Sequence, residues 1–161
     1  MAVIQYRLDG RMLHGQVSNF ARALNIEEFV VVNEKTANDP TQVMLLELAA
    51  LNAEVDAVSP EDAYDLLTGD ELEDYRVMVV FKEIFDAVEL VKLGYSMPEI
   101  VISGMYAKDN ENKVKAEACL FVDDKDKEAF RYLEDHGVLL THQISPEYNK
   151  KMVHEDRKSV V

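Results

Sequence analysis

Read from its N-terminus, the chain alternates short apolar runs with longer stretches in which apolar residues recur every three or four positions. The runs are Ala2–Leu8, Phe29–Asn33, Arg76–Phe81, Glu99–Ser103, Ala118–Val122 and Val138–Thr141. Most are β-branched and continuous, the pattern of strands covered on both faces. Ala53–Val58 alternates more loosely and is predicted as an edge strand. Between the runs, Val17, Phe20, Ala21 and Leu24 fall at i, i+3, i+4 and i+7, and so do Ile84, Ala87, Val88 and Val91. That spacing predicts amphipathic helices.

Other helices announce themselves by their starts. Asp39 precedes Pro40, and Ser59 precedes Pro60 with Asp62 three residues after the cap. Asp123 or Asp124 is placed to cap a helix over Lys125–Asp135 that Gly137 stops. Strand–helix alternation of this kind predicts an α/β fold: a three-layer open sheet, mainly parallel with room for an antiparallel edge, and helices on both faces. Residues 1–161 read as one domain, the last few (157–161) as a frayed tail. In such sheets ligands gather beyond the carboxyl ends of the strands. The loops to search are therefore Asp9–His14, Asn33–Asp39, Phe81–Ile84 and Ser103–Asn110.

Composition removes several function classes. The 161 residues hold 17 Lys+Arg against 31 Asp+Glu, a net charge of −14, which repels nucleic acid and anionic membrane surfaces. Cys119 is the single cysteine, so no internal disulfide and no thiolate metal cage can form; inside an apolar strand it reads as a small buried hydrophobe. No apolar run approaches the ~18 residues of a spanning helix. With no basic flank and long apolar stretch at the start, the chain is expected to be cytoplasmic. The acidic run 123–128 lacks the glycine and spaced glutamate of a calcium loop. Gly10 and Gly15 have Walker-like spacing without the Lys-Ser/Thr that follows it. His136 suits a helix C-terminus, while His142 and His154 have no ligand spacing. Neither a metal nor a cofactor is expected.

One loop does carry chemistry. Tyr6-Arg7-Leu8-Asp9-Gly10-Arg11-Met12-Leu13-His14-Gly15-Gln16-Val17 links the first strand to the first amphipathic helix. A helix start is an anion site, and guanidinium groups grip phosphate in a bidentate manner. A neutral imidazole nitrogen is a nucleophile, and a phosphoryl group on it is a charge that arginine and backbone amides can neutralise. Asp9 can hold one ring nitrogen of His14 or orient Arg11; composition leaves both open. The same residues also suit a non-catalytic domain that binds a phosphorylated ligand, or a small sugar-phosphate enzyme with His14 as general acid/base.

The segment Arg7–Val17 resembles the phosphorylation-site signature of IIB components of the mannose/fructose/sorbose-family sugar phosphotransferase systems, which include N-acetylgalactosamine systems. That signature reads Arg-aliphatic-Asp-x-Arg-aliphatic-aliphatic-His-Gly-Gln-Val, and the chain fills each fixed position. Val30–Glu34, the Ser103-Gly104-Met105 turn and the Val122–Asp126 junction with Glu128-Ala129-Phe130 extend the likeness. The resemblance implies that a phosphorylated IIA protein donates its phosphoryl group to Nδ1 of His14. His14 then passes it to a hexose or amino-hexose imported through the membrane subunits IIC and IID, at whose inner face the protein works transiently.

Carried over by position, His14 is the phosphorylated nucleophile, with Asp9 and Arg11 as its catalytic partners. Arg7 and Gly15 are implied as phosphate- or loop-binding residues, and Phe81, Ser103 and Gly104 as the border of the same pocket. Gly10, where relatives often carry an acid, is expected to loosen the loop; Ser103 stands where many have glycine or asparagine. His14 is expected to stand exposed on a protruding loop with Arg7 and Arg11 forming a basic rim. Which sugar is carried, and the oligomeric state, are not written in the sequence.

Overall fold

The computed structural model describes residues 2–106, 113–117 and 119–153. Strands β1 (Ala2–Asp9), β2 (Glu28–Val32), β3 (Glu54–Val58), β4 (Arg76–Phe81), β5 (Glu99–Gly104), β8 (Leu139–His142) and β9 (Lys151–Met152) form one sheet in the order β3-β2-β4-β1-β5-β8-β9. Every pairing is parallel except that of β9 with β8, which makes the antiparallel edge. The segment predicted as an edge, β3, is the opposite edge. The run containing Leu120–Val122 (β7) pairs instead with β6 (Val114–Glu117) in a separate two-stranded ribbon. Ala118 and His154, and the predicted tail, lie outside the described residues.

Alternation along the central strands divides the core between two faces. Tyr6 and Leu8 of β1, Val30 and Val32 of β2, and Val77, Val79 and Phe81 of β4 pack under α4 (Pro60–Thr68), α5 (Ile84–Lys92) and α6 (Asp124–Asp135). Phe29, Val31, Met78 and Val80 face the other way, onto Val17 and Phe20 of α1 (Gly15–Leu24), Leu46 of α3 (Pro40–Ala49) and Ala50 just past its end. Three layers result.

The caps follow the sequence signals. The Asp39 carboxylate accepts from the Thr41 and Gln42 amides, and the Ser59 hydroxyl from the Asp62 amide. Asp123 and Asp126 bond each other's backbone amides in a capping box, and Gly137 takes φ +83 just past the end of α6. A further one-turn helix, α2 (Glu34–Ala37), is capped by Asn33. Among the described residues no helix is long and apolar enough to cross a membrane.

Because these strands run parallel, Asp9, Val32, Phe81, Gly104 and His142 end them at one rim. The chain leaves β1 for one face and its neighbours β4 and β5 for the other. This is the switch point where open α/β sheets form crevices.

At the opposite rim Glu28 is buried, its Oε1 without a hydrogen-bond partner. Burial first, then the Asp56 carboxyl hydrogen-bonded to it and the charge of Glu54, push its carboxyl up to about 9. A carboxyl raised in the folded state contributes stability that is complete below its unfolded value and is lost as pH rises toward the folded one. Glu28→Gln is therefore expected to raise Tm at pH 8 by about 2–4 °C, the size of a ~1 kcal/mol change in a chain this long. The gain should vanish near pH 4.5, and calorimetry at both pH values checks it.

Candidate functional site

The site is built outward from the last residue of β1. Asp9 pairs with Gly104 of β5, and the Gly10 amide donates to the Gly104 carbonyl at 3.0 Å, so the chain turns where two strands end together. The Met12 amide closes the turn onto the Asp9 carbonyl at 2.9 Å, with Met12 in the left-handed region at φ +57. The chain then enters α1, where the Ser18 amide donates to the His14 carbonyl and makes His14 the residue before the first turn. The first turn itself contains no acidic residue.

The Asp9 side chain is fully buried and holds the loop together. Its Oδ1 accepts the Arg11 backbone amide at 2.9 Å and lies 3.9 Å from the Arg11 Nε. Its Oδ2 lies 2.5 Å from Nε2 of His14. Both roles left open by the sequence are thus filled, one by each oxygen. A neutral imidazole that donates its Nε2 proton to Asp9 has its lone pair on Nδ1.

His14 does not protrude. Its side chain is 17% exposed, whereas that of Arg11 is 47% exposed. The expected basic rim therefore rests on Arg11.

Arg7 lies elsewhere: it is fully buried, with its guanidinium carbon 3.7 Å above the Phe20 ring. Nη1 donates to Gln5 Oε1 and Nη2 to the Gln143 carbonyl, while Nε is buried without a partner. Burial lowers its pKa to about 9, opposed by the nearby Asp9 charge. Residues 7 and 9 point to the same face of β1, so the cation sits beneath the site as a counter-charge rather than on its rim.

Phe81 is likewise fully buried in the core under α4–α6 and offers a ligand no surface. Ser103 is buried with its hydroxyl 3.4 Å from the Gln143 carbonyl. Gly15 is exposed, with nothing within 4 Å of where a side chain would begin. Gly104 lies under the ring of Tyr106.

Two supports come from loops that the sequence marked without naming these residues as part of the site. Tyr106 packs on Gly104 and Gly10, and the Arg11 guanidinium carbon sits 5.1 Å from its ring centroid. Beneath Met12, the Thr36 hydroxyl lies 3.7 Å from its sulfur and 2.8 Å from Asn33 Oδ1. Asn33 Nδ2 donates to the carboxylate of Asp86, whose pKa burial pushes up to about 6 against the Asn33 and Glu83 hydrogen bonds. Among the described residues no three His, Cys, Asp or Glu are grouped to hold a metal ion.

The family described as the PTS system sorbose subfamily IIB component matches residues 3–157. The sorbose-specific EIIB component of Klebsiella pneumoniae is 28% identical over 146 residues, covering 89% of this chain and 88% of that protein. The mannose-specific EIIAB component of Escherichia coli K12 is 27% identical over 150 residues, of which this chain spans 46% of the length. The IIBSor domain structure from Klebsiella pneumoniae superposes with a TM-score of 0.84 at 24% identity, covering 95% and 94% of the two chains. An N-acetylgalactosamine IIB structure from Streptococcus pyogenes gives 0.86 at 25% identity, covering 95% and 96%.

The two positions open to Arg7 have opposite consequences for stability. A buried cation that balances Asp9 is missed when replaced, so Arg7→Met is expected to cost about 2–4 kcal/mol, a Tm drop of roughly 5–15 °C. A rim arginine would leave Tm unchanged. Thermal unfolding of the two proteins decides.

Proposed function

The chain belongs to the sorbose subfamily of phosphotransferase-system IIB components, sugar phosphotransferases that work with IIA and IIC/IID proteins, and on that premise we propose that His14 carries its phosphoryl group. The observation that carries this reading is the 2.5 Å contact of Asp9 Oδ2 with His14 Nε2. With that nitrogen's proton directed to a carboxylate, the nucleophilic lone pair is on Nδ1. A phosphohistidine of the IIA partner presents phosphorus in line with Nδ1; its own P–N bond breaks as the new one forms. The ring then carries positive charge, which Asp9 stabilises without moving. In the second step a hydroxyl of the sugar, held by IIC and IID, attacks phosphorus. The P–N bond electrons return to Nδ1 and the hydroxyl proton is released.

Arg11 is the side chain suited to the phosphoryl oxygens. It is half-exposed, its backbone is fixed by Asp9, and its planar fork matches phosphate. The first-turn amides of α1, with Gly15 leaving room for approach, supply further donors. Phosphoryl transfer asks chiefly for such positioning and charge. The acceptor is a hexose or amino-hexose, the class to which the sugars naming the relatives belong, and the protein works on the cytoplasmic side of the membrane.

Incubation with phosphoenolpyruvate, the general phosphotransferase proteins and a matching IIA is expected to place one acid-labile phosphoryl group on His14, and none on His14→Ala. A protein that only binds phosphorylated ligands would stay unlabelled. A self-sufficient sugar-phosphate enzyme would turn substrate over without partners. Arg11→Lys keeps charge but loses the fork, and rapid-quench transfer from phospho-IIA should slow by roughly 10–100-fold, the equivalent of one charged contact of ~1.5–3 kcal/mol. An unchanged rate would remove Arg11 from the site.

A further inference from the structure

Tyr106 begins where β5 has ended, and its place is fixed by backbone. Its neighbour Met105 donates to the Cys119 carbonyl and accepts from the Phe121 amide, both at 2.8 Å, so the ribbon β6–β7 grips the chain beside the ring. The ring covers the seam where β1 and β5 stop. A side-chain carbon on Gly104 would fall 2.6 Å from its Cε2 and Cζ, and one on Gly10 would fall 3.0 Å from its Cδ2. A Cβ carbon essentially never comes within 3.0 Å of another such atom, so Gly104 is required for the ring to lie there. Gly10 leaves the remaining space. The phenol oxygen is buried beside Cys119. Burial first, with Asp9 and Cys119 nearby, pushes its pKa up to about 12.

What the ring provides is its face. Arg11 stands over it at 5.1 Å, inside the range at which a guanidinium is attracted to an aromatic quadrupole. Arg11 also meets Asp9, whose Oδ1 accepts its backbone amide and lies 3.9 Å from its Nε. A long, half-exposed arginine otherwise samples many rotamers. Asp9 and the Tyr106 ring together limit that freedom.

We infer that Tyr106 is a positioning residue for phosphoryl transfer, its ring serving as the platform on which the Arg11 guanidinium is oriented, with Gly10 and Gly104 as the sockets that admit it. The inference rests on His14 being the phosphoryl carrier, and it adds a residue outside the loop signature.

Rapid-quench transfer from phospho-IIA is measured for the wild type, Tyr106→Leu, Tyr106→Phe, Arg11→Ala and the double variant Arg11→Ala/Tyr106→Leu. Tyr106→Leu should lower kcat by roughly 3–10-fold with KM for phospho-IIA nearly unchanged, the size of one partly exposed cation–π contact. Tyr106→Phe, which keeps the ring, should transfer at close to the wild-type rate. In the Arg11→Ala background, the leucine substitution should produce no further slowing, whereas a role in general packing would slow both backgrounds alike.

Equal slowing in both backgrounds overturns the inference, and so does wild-type transfer by Tyr106→Leu. A Tyr106→Phe variant as slow as the leucine one would assign the effect to the hydroxyl and overturn it too. If Tyr106→Leu does not fold, the wild type alone decides. Proton spectra should show the Arg11 side chain shifted upfield by the ring, and its absence contradicts the platform. A wild type that never takes label overturns the carrier reading itself; a labelled wild type with an indifferent Tyr106→Leu overturns this inference alone.

Discussion

A carboxylate taken wholly out of water is tolerated only when its oxygens are occupied and its charge is balanced. Asp9 is such a group, and much of the site follows from satisfying it. One oxygen takes the Arg11 amide, which sets the turn; the other takes the His14 ring, which fixes how the imidazole lies. Arg7, buried on the same strand face, supplies the positive charge beneath it. The loop that leaves β1 is thus shaped by one negative charge, and the helix that follows begins where that charge has placed His14.

The fold provides the rigid surroundings this needs. β1 is flanked on both sides by parallel strands, and its end is tied to β5 through Gly10 and Gly104. Below the turn, a buried polar chain from Met12 through Thr36 and Asn33 reaches Asp86 at the start of α5. The loop that carries His14 therefore rests on elements from both faces of the sheet. A constellation held this way moves little between its two partners, which suits a group that must receive and release the same cargo.

Much of this is legible in the sequence, for identifiable reasons. Continuous β-branched runs such as Arg76–Phe81 mark strands buried on both faces, and Asp39-Pro40 and Ser59-Pro60 mark helix starts. The start signal matters most for α3, whose residues are apolar on nearly every side; Met44, Leu45 and Leu48 remain exposed, so periodicity could not reveal its inner face. The one-turn α2 and the two-residue β9 are too short to leave a pattern. The Leu120–Val122 run looks like a sheet strand because a ribbon strand packed on the core alternates in the same way.

At the site, the motif locates Asp9, Arg11 and His14 because their spacing is local. Arg7 is harder, since only the parity of β1 and the position of Phe20 show that its guanidinium turns inward beside Asp9. Phe81 ends its strand at the correct rim, yet the same alternation sends its side chain to the opposite core. Tyr106 is nearly one hundred residues from Arg11, and no local spacing announces it. The pair of glycines at 10 and 104, each facing one ring, is the trace it leaves.

The central claim is that Asp9 reserves Nε2 of His14 and so directs the phosphoryl group to Nδ1. Nitrogen–phosphorus correlated spectra of the ¹⁵N-labelled phosphoprotein test this directly. Phosphorus coupled to Nδ1 of His14, with a proton retained on Nε2, is the expected result. Phosphorus on Nε2, or on any other residue, would contradict it.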